Sequence, residues 1–311
     1  MIERPLVVLD LFSAYGGTGL VDGGWSTAAR RRGHKVITLE IEDLFTPDLL
    51  GDILTFTVED IIEACGGVVP DVVYASPPCE AFSIMRCSLN WGDWDKEKKA
   101  GAQKYIANRW QTPANLAPTP KHPRSHHGRE LMNHTLALID GLKELNPSLF
   151  WWMENPRGMM RYQPELSTLR RETIHHAAYH DPAATLHGFL GDVHHGATDL
   201  PPLKPTDLWG VFPGQWKPRP QLRMDKSGVL YEPAPRGSHT GTQGMKDEVH
   251  PISGRKVKAY YVRSLIPFYL GWDTIVACEK ALNVKAPVDY QRHESWVEPA
   301  LPIEGFGAWF E

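Results

Sequence analysis

Two side chains stand where their chemistry can meet. Cys79 follows a pair of prolines in Asp71-Val72-Val73-Tyr74-Ala75-Ser76-Pro77-Pro78-Cys79-Glu80-Ala81-Phe82-Ser83, and Glu154 opens Glu154-Asn155-Pro156-Arg157-Gly158 after the apolar run Leu149 to Met153. A thiolate is a strong nucleophile, and a carboxyl group beside it can accept or deliver a proton at the centre under attack. A lone cysteine is by default a small inert hydrophobe, and Cys65 and Cys278, inside helical apolar patterns, are read that way; Cys87 stays undecided. Cys79 lies instead in a polar loop just past a strand.

A second group of residues suits a nucleoside-bearing ligand. The strand-like run Leu6 to Leu11 opens into Phe12-Ser13-Ala14-Tyr15-Gly16-Gly17-Thr18-Gly19. Such a turn exposes backbone N–H groups and lets a ligand approach where a Cβ would block it. Glu40, ending the next strand, can accept hydrogen bonds from both ribose hydroxyls. Asp52, one connection further on, is placed to bind an adenine amino group. The loop lacks the G-x-x-x-x-G-K-[ST] pattern that cradles a triphosphate, so the two acids fit a ligand with a ribose and few or no phosphates.

Holding these groups together requires alternating strands and helices. Apolar periodicity predicts strands at 6–11, 35–40, 71–75 and 149–153, a weak one near Gly51-Asp52-Ile53-Leu54, and helices over 58–65 and about 128–145. That alternation predicts a parallel, doubly wound sheet. Ligands bind such sheets at the carboxyl ends of the strands, where Phe12, Glu40, Cys79 and Glu154 all fall. From Pro201 to Ala259 prolines and glycines are dense and only short β pieces are expected, whereas 264–283 returns to a helical pattern. The expected division is a main α/β domain over 1–198, a small irregular region over 199–258, and a segment over 259–311 returning to the first.

The 311 residues carry 33 Lys+Arg against 37 Asp+Glu, a net charge of −4, with 42% apolar and 23% charged residues. This is globular composition, which excludes a largely disordered or fibrous chain and a uniformly basic nucleic-acid binder. Charge is uneven: Lys96 to Arg129 is net +7 and Lys204 to Arg263 net +6, leaving −17 on the rest. Both stretches also hold aromatics and histidines, including Trp110, His122, His126, His127, Trp216 and His239, as a polyanion with stackable bases would need. No apolar run reaches the ~18 residues of a membrane span. The first residues show no basic n-region or cleavage site, and the four cysteines form no C-x-x-C pair. An intracellular protein with reduced thiols is expected. His175-His176-x-x-x-His180 and His194-His195 lack cysteines or carboxylates at ligand spacing, so no metal is expected.

Asp10-Leu11-Phe12-Ser13-x-x-Gly16-Gly17, Ser76-Pro77-Pro78-Cys79-x-Ala81-Phe82-Ser83 and Glu154-Asn155-Pro156 resemble, in order, the first, fourth and sixth motifs of the DNA (cytosine-5)-methyltransferase family, with the acids of the second and third at Glu40 and Asp52. Together with Lys204-Pro205-Thr206-Asp207-Leu208-Trp209, they resemble the short enzymes of bacteriophages. The resemblance covers residues 6–160 and extends to Arg263–Leu282. It implies an α/β fold built on a Rossmann-like S-adenosylmethionine-dependent methyltransferase sheet. It implies a catalytic, cofactor-binding role for residues 1–198 and target recognition for 199–258. It implies methylation at C5 of cytosine, with Cys79 bonded to C6 of a base flipped out of the duplex and Glu154 holding N3 and the 4-amino group. S-adenosylmethionine would be held by Phe12, Ser13, Gly16, Gly17, Glu40, Asp52, Ile53 and Pro78. The implied partner is double-stranded DNA, met by Ser83, Lys96, Lys98, Lys99, Arg157 and Lys204. A monomer is expected, in the cytoplasm of a bacterium or a phage-infected bacterium, with no membrane and no metal.

The chain also departs from the family pattern. The interval from Cys79 to Glu154 is longer, the excess being the basic segment Lys96 to Arg129. No Gln-x-Arg-x-Arg eighth motif is present, and Lys204 stands in for part of it; Arg263-Ser264-Leu265-Ile266-Pro267 stands near the place of the last motif's Gly-Asn-Ser. Two related alternatives are an RNA cytosine-5 methyltransferase and a DNA-binding homologue without catalysis, the latter at odds with an intact Cys79 and Glu154. A thiol hydrolase is the rival of another class, but no histidine stands in a recognisable partner motif. Amino-methylating enzymes carry an aromatic after Pro-Pro, where this chain has Cys79.

Overall fold

A computed structural model of the chain describes residues 4–13, 24–82, 90–92, 96–107, 117–179, 205–219, 248–249, 256–257 and 266–287. In chain order its main elements are β1 (Val7–Leu11), α1 (Gly24–Arg31), β2 (Lys35–Glu40), β3 (Leu49–Leu50), α2 (Val58–Ala64), β4 (Val72–Ala75), β5 (Trp91–Gly92), α3 (Lys96–Ala107), β6 (Thr119–Pro120), α4 (Pro123–Leu145), β7 (Phe150–Pro156), β8 (Arg170–His175), β9 (Pro205–Val211), β10 (Glu248–Val249), β11 (Lys256–Val257) and α5 (Phe268–Leu282). Seven strands form one sheet in the order β3-β2-β1-β4-β7-β9-β8. Neighbours run parallel except at β9, which is antiparallel to both β7 and β8. This is the Rossmann-like α/β sheet expected from the sequence, with the carboxyl ends of six strands at one edge.

Strand residues alternate between two apolar layers. Val7, Leu9, Leu11, Val73, Ala75, Trp151 and Met153 face Ile61 of α2, Cys65 just after it, and Leu131, Leu138 and Leu142 of α4. Val8, Val72, Tyr74, Trp152 and Leu208 face Trp25 and Ala28 of α1 and Leu270, Ile275 and Cys278 of α5. Both faces are therefore buried, which is why the strands read as continuous apolar runs. Each fully buried large side chain contributes about 1.5–3 kcal/mol. Cys65 and Cys278 are buried, and burial pushes the Cys65 thiol up to about 11.

Several boundaries differ from the sequence reading. The third strand is Leu49–Leu50, not Gly51 to Leu54: Gly51 N makes a last bond to Glu40 O at 3.0 Å, and Asp52 then caps a single 3-10 turn over Ile53–Thr55 by accepting from Leu54 N at 3.0 Å. Helix α4 starts at Pro123 rather than near Gly128, because His122 caps it and Pro123 needs no N–H partner there. Its first turn is polar, so no apolar stripe marked it. Residues 205–211, inside the range 199–258 read as irregular, are a strand of the main sheet. They alternate Thr206, Leu208 and Gly210 with Asp207 and Trp209, a pattern hidden by the prolines around it.

Helix α5 is pinned back onto the first strands. Glu279 accepts from Arg32 Nη2 at 2.6 Å and from His34 Nε2 at 2.7 Å, while His34 Nδ1 accepts from Leu6 N at 3.2 Å. Burial alone would raise the Glu279 carboxyl, but the bonds from His34 and Arg32 outweigh it and hold it below its ordinary value.

Asp10 is the buried acid of β1, hydrogen-bonded by the Ser26 hydroxyl of α1. Burial pushes its carboxyl up to about 7, against the lowering effects of Ser26 and Arg30. Between about pH 4 and pH 7 the folded chain thus holds a proton that the unfolded chain has lost, so stability falls as pH rises through that window and levels off above it. An Asp10→Asn variant keeps an acceptor for Ser26 and removes the titration. Urea unfolding of both proteins at pH 5 and pH 8 should show the variant gaining on the parent with pH, by up to about 3 kcal/mol. An identical difference at both pH values would refute the assignment.

Candidate functional site

The carboxyl ends of β1, β2 and β3 form one half of the site. Phe12 leaves β1 in the left-handed region at φ +61, a strained choice for a bulky residue that the surroundings must enforce. Ser13 N donates to Leu39 O at 3.2 Å, which keeps the turn alongside β2. The Ser13 hydroxyl is buried with no hydrogen-bond partner among the described residues. Glu40 is 7% exposed, and its Oε1 accepts from Ile41 N at 2.9 Å, so backbone amides fix the carboxylate. Asp52 is tied to its own turn. Ile53 sends its side chain into the core, so only its backbone can serve a ligand. Ile41 and Leu50 are exposed apolar side chains beside Glu40 and Asp52, at 63% and 56%. The sequence reading passed over both; a large hydrophobe directly after the β2 acid is the signal that marks Ile41.

The other half is the turn after β4. Ser76 N donates to Leu11 O at 3.1 Å, one step beyond the ladder, and Pro77 and Pro78 then lead to an exposed Cys79 at the start of a 3-10 turn over Cys79–Ala81. On the neighbouring strand β7, Met153 pairs with Ala75, and Glu154 follows it, 4% exposed. Asn155 faces the opposite side of β7 and donates through Nδ2 to Pro77 O at 2.9 Å. Met159 N donates to Phe82 O at 2.7 Å. Asn90 Nδ2 reaches Glu80 O and Ala81 O, each at 3.2 Å, and Trp91 Nε1 reaches Ala81 O at 2.8 Å. The fold thus brings thiol and carboxylate to the ends of adjacent strands and binds their loops together.

A cationic cluster gathers around Asp207 of β9, which lies opposite Asn155 of β7 and Thr173 of β8. Arg161 makes two bonds to buried Asp207, at 2.9 and 2.8 Å, and Thr173 adds a third at 2.6 Å. Arg171 and the exposed Arg157 have no ion pair or hydrogen bond to their guanidinium groups among the described residues. Burial pulls the Arg171 guanidinium below its ordinary value; Asp207 opposes this, and Arg161 and Arg157 add to it. His175 is likewise lowered, by burial and then by Arg157. Three arginines thus surround one aspartate, an arrangement that suits an anion. Arg171 escaped the sequence reading because five of the six residues of β8 are polar, leaving no apolar strand pattern.

Gly16, Gly17, Ser83, Cys87, Lys204, His180, His194, His195 and Arg263 lie outside the described residues. Lys99 of α3 is exposed and Lys98 half-buried. His176 Nε2 lies 3.1 Å from Thr206 Oγ1. Among the described residues no group of three or more His, Cys, Asp or Glu could hold a metal ion, and no helix is long and apolar enough to cross a membrane.

No protein-family model matches the chain, and no curated protein does. Solved structures do, among them the Entamoeba histolytica methyltransferase EhMeth, at 11% identity and a TM-score of 0.35, over 72% of this chain. The chain spans 58% of the length of that protein.

Gly158 reports on how tightly the two loops fit. A Cβ there would lie 2.3 Å from Phe82 O, a backbone atom that can move only with the thiol turn. Gly158→Ala should therefore cost about 1–3 kcal/mol in denaturant unfolding and raise the alkylation of Cys79 by iodoacetamide or lower it, but not leave it unchanged. Parent-like stability would mean that the two loops are not held against each other.

Proposed function

We propose that the chain transfers a methyl group from S-adenosylmethionine to C5 of cytosine in double-stranded DNA, through a covalent bond from Cys79 to C6 of a flipped base. The observation that carries this reading is the pairing of an exposed Cys79 with a buried Glu154 at the carboxyl ends of adjacent parallel strands, joined by the Asn155–Pro77 hydrogen bond.

The residues at the ends of β1, β2 and β3 fit the cofactor. Glu40, fixed by backbone amides, suits a ribose diol; Ile41 and Leu50 offer apolar cover to an adenine; the buried Ser13 hydroxyl has a bond to spare. Bound there, S-adenosylmethionine supplies an electrophilic methyl group.

C5 of cytosine is a poor nucleophile. The Cys79 thiolate adds to C6, and the electron pair of the C5–C6 double bond becomes available at C5. Glu154 holds N3 and the 4-amino group and stabilises the charge that develops on the ring. C5 takes the methyl, a base removes the C5 proton, and the returning electron pair expels the thiolate. A stacked base cannot be reached this way, so the nucleotide must leave the duplex. Arg157 and Arg171, whose guanidinium groups have no ion pair among the described residues, with Lys98 and Lys99 of α3, support a reading in which phosphates are gripped beside the opening.

Duplex DNA carrying 5-fluorocytosine tests the chemistry, because fluorine cannot leave as the proton does. Parent protein with S-adenosylmethionine should form a complex that survives denaturation. Cys79→Ser should abolish it, an alcohol being far less ionised than a thiol, and Glu154→Gln should slow its formation strongly. An adduct formed by Cys79→Ser, or none formed by the parent on any cytosine context, would defeat the mechanism; adducts on RNA alone would move the substrate to that polymer. The gripping residues predict a separate result. Arg157→Ala with Arg171→Ala should flatten the dependence of log binding constant on log salt by up to about 0.9 per lost contact, and an unchanged slope would remove them from the interface.

A further inference from the structure

The segment that lengthens the chain between Cys79 and Glu154 is fastened to the thiol turn. Its described parts are α3, β6 and the start of α4, and β5, just before it, closes its root: Trp91 pairs with Pro120 and Gly92 with Thr119, while Asn90 O accepts from Lys121 N at 2.8 Å. Ser125, at the start of α4, also donates to Asn90 O. From this root two buried side chains turn toward Cys79. Asn90, 1% exposed, donates to Glu80 O and Ala81 O, and Trp91, 2% exposed, donates to Ala81 O with its indole stacked on Phe82 at 5.7 Å between ring centroids. The acceptors are the carbonyls of the two residues that follow Cys79. The orientation of the turn presenting the thiol is therefore set from the extension.

We propose that Asn90 and Trp91 are positioning residues for Cys79, and that the extension is the element through which bound nucleic acid controls how the thiol is presented. The control role rests on the methyltransferase reading for the identity of the polymer; the positioning role rests on the hydrogen bonds alone. Helix α3 exposes Lys99, and the β5–β6 root is tied to Glu80 and Ala81 by directional bonds rather than by packing only.

Trp91→Phe separates positioning from packing, because it keeps a ring on Phe82 and drops only the N–H. Ala81 O keeps Asn90 as a donor, so this variant should melt close to the parent. The full chain is compared with Trp91→Phe and Asn90→Asp in thermal unfolding, in the pH profile of Cys79 alkylation by iodoacetamide read on the Cys79 peptide, and in kcat and KM for methyl transfer to DNA. The expected result for Trp91→Phe is a displaced alkylation profile and a kcat lower by between about 10- and 100-fold, with the KM for S-adenosylmethionine unchanged. Asn90→Asp, which sets an acceptor against two carbonyls, should do the same and serves should Trp91→Phe fail to fold. Parent-like alkylation and kcat in the folded variants would overturn the proposal, as would losses that merely track a lower melting temperature. Alkylation needs no DNA: a displaced profile in a chain whose parent methylates no polymer keeps the positioning role and removes the methyltransferase reading.

Discussion

The side chain of Asn155 donates to Pro77 O across the seam between β7 and β4, 2.9 Å away and shielded from water, and the groups of the site are placed relative to that bond. The parallel ladder ends with Ala75 opposite Met153. Beyond it the chain runs through two prolines, which have no N–H to offer. At those two positions the loop can be held only by carbonyls. Asn155 takes Pro77 O, Asn90 and Trp91 take those of Glu80 and Ala81, and Met159 N takes that of Phe82. A loop anchored through its acceptors on every side leaves Cys79 exposed without being loose. Because unpaired buried carbonyls are costly, losing any one donor disturbs the turn that carries the thiol.

The antiparallel strand β9 has a comparable role for charge. Inserted between β7 and β8, it sets Asp207 opposite both Asn155 and Thr173. Asp207 neutralises Arg161 in a buried pair with side chains 0% and 9% exposed. Breaking such a pair typically costs 3–5 kcal/mol, so Arg161 is spoken for structurally. Among the described residues Arg157, just beyond β7, and Arg171, level with Met153 in the ladder, then carry no ion pair of their own. Such a local surplus is why the net charge of −4 says little about the charge of one region.

Much of this was legible in the sequence because it obeys short-range rules. Apolar runs with period-2 faces gave away β1, β2, β4 and β7, and the acids and thiol at their ends were visible as polar residues following such runs. What escaped depended on partners distant in the chain. Arg170–His175 is a strand only because β9 pairs with it, and Pro205–Val211 is central only because β7 and β8 lie on either side. Local propensity cannot report such tertiary pairing. Asn90 and Trp91 look like ordinary loop residues until the β5–β6 ribbon folds them back on Ala81. Asp52 stands out as a polar group at the third connection, but not as the cap of its own turn, since a strand is expected through Gly51 to Leu54 where a 3-10 turn over Ile53–Thr55 forms.

The opposite helical layer explains why the C-terminal helix must return to the sheet. The connection from Ser13 to Gly24 joins β1 to α1, and a connection is ordered cheaply only if its ends are fixed. Ser13 fixes one end through Leu39 O. At the other, Ser26 bonds Asp10 and Trp25 stacks on Tyr74 at 4.5 Å between ring centroids. Tyr74 is itself within 2.9 Å of Thr274 Oγ1 on α5, and just beyond the far end of α1 Arg32 is held by Glu279 of the same helix. Helix α5 therefore fixes α1 at both ends, and with it the frame against which Phe12 and Ser13 are set. A chain cut before Phe268 would keep Cys79 and Glu154 and lose the support behind the first strands of the sheet.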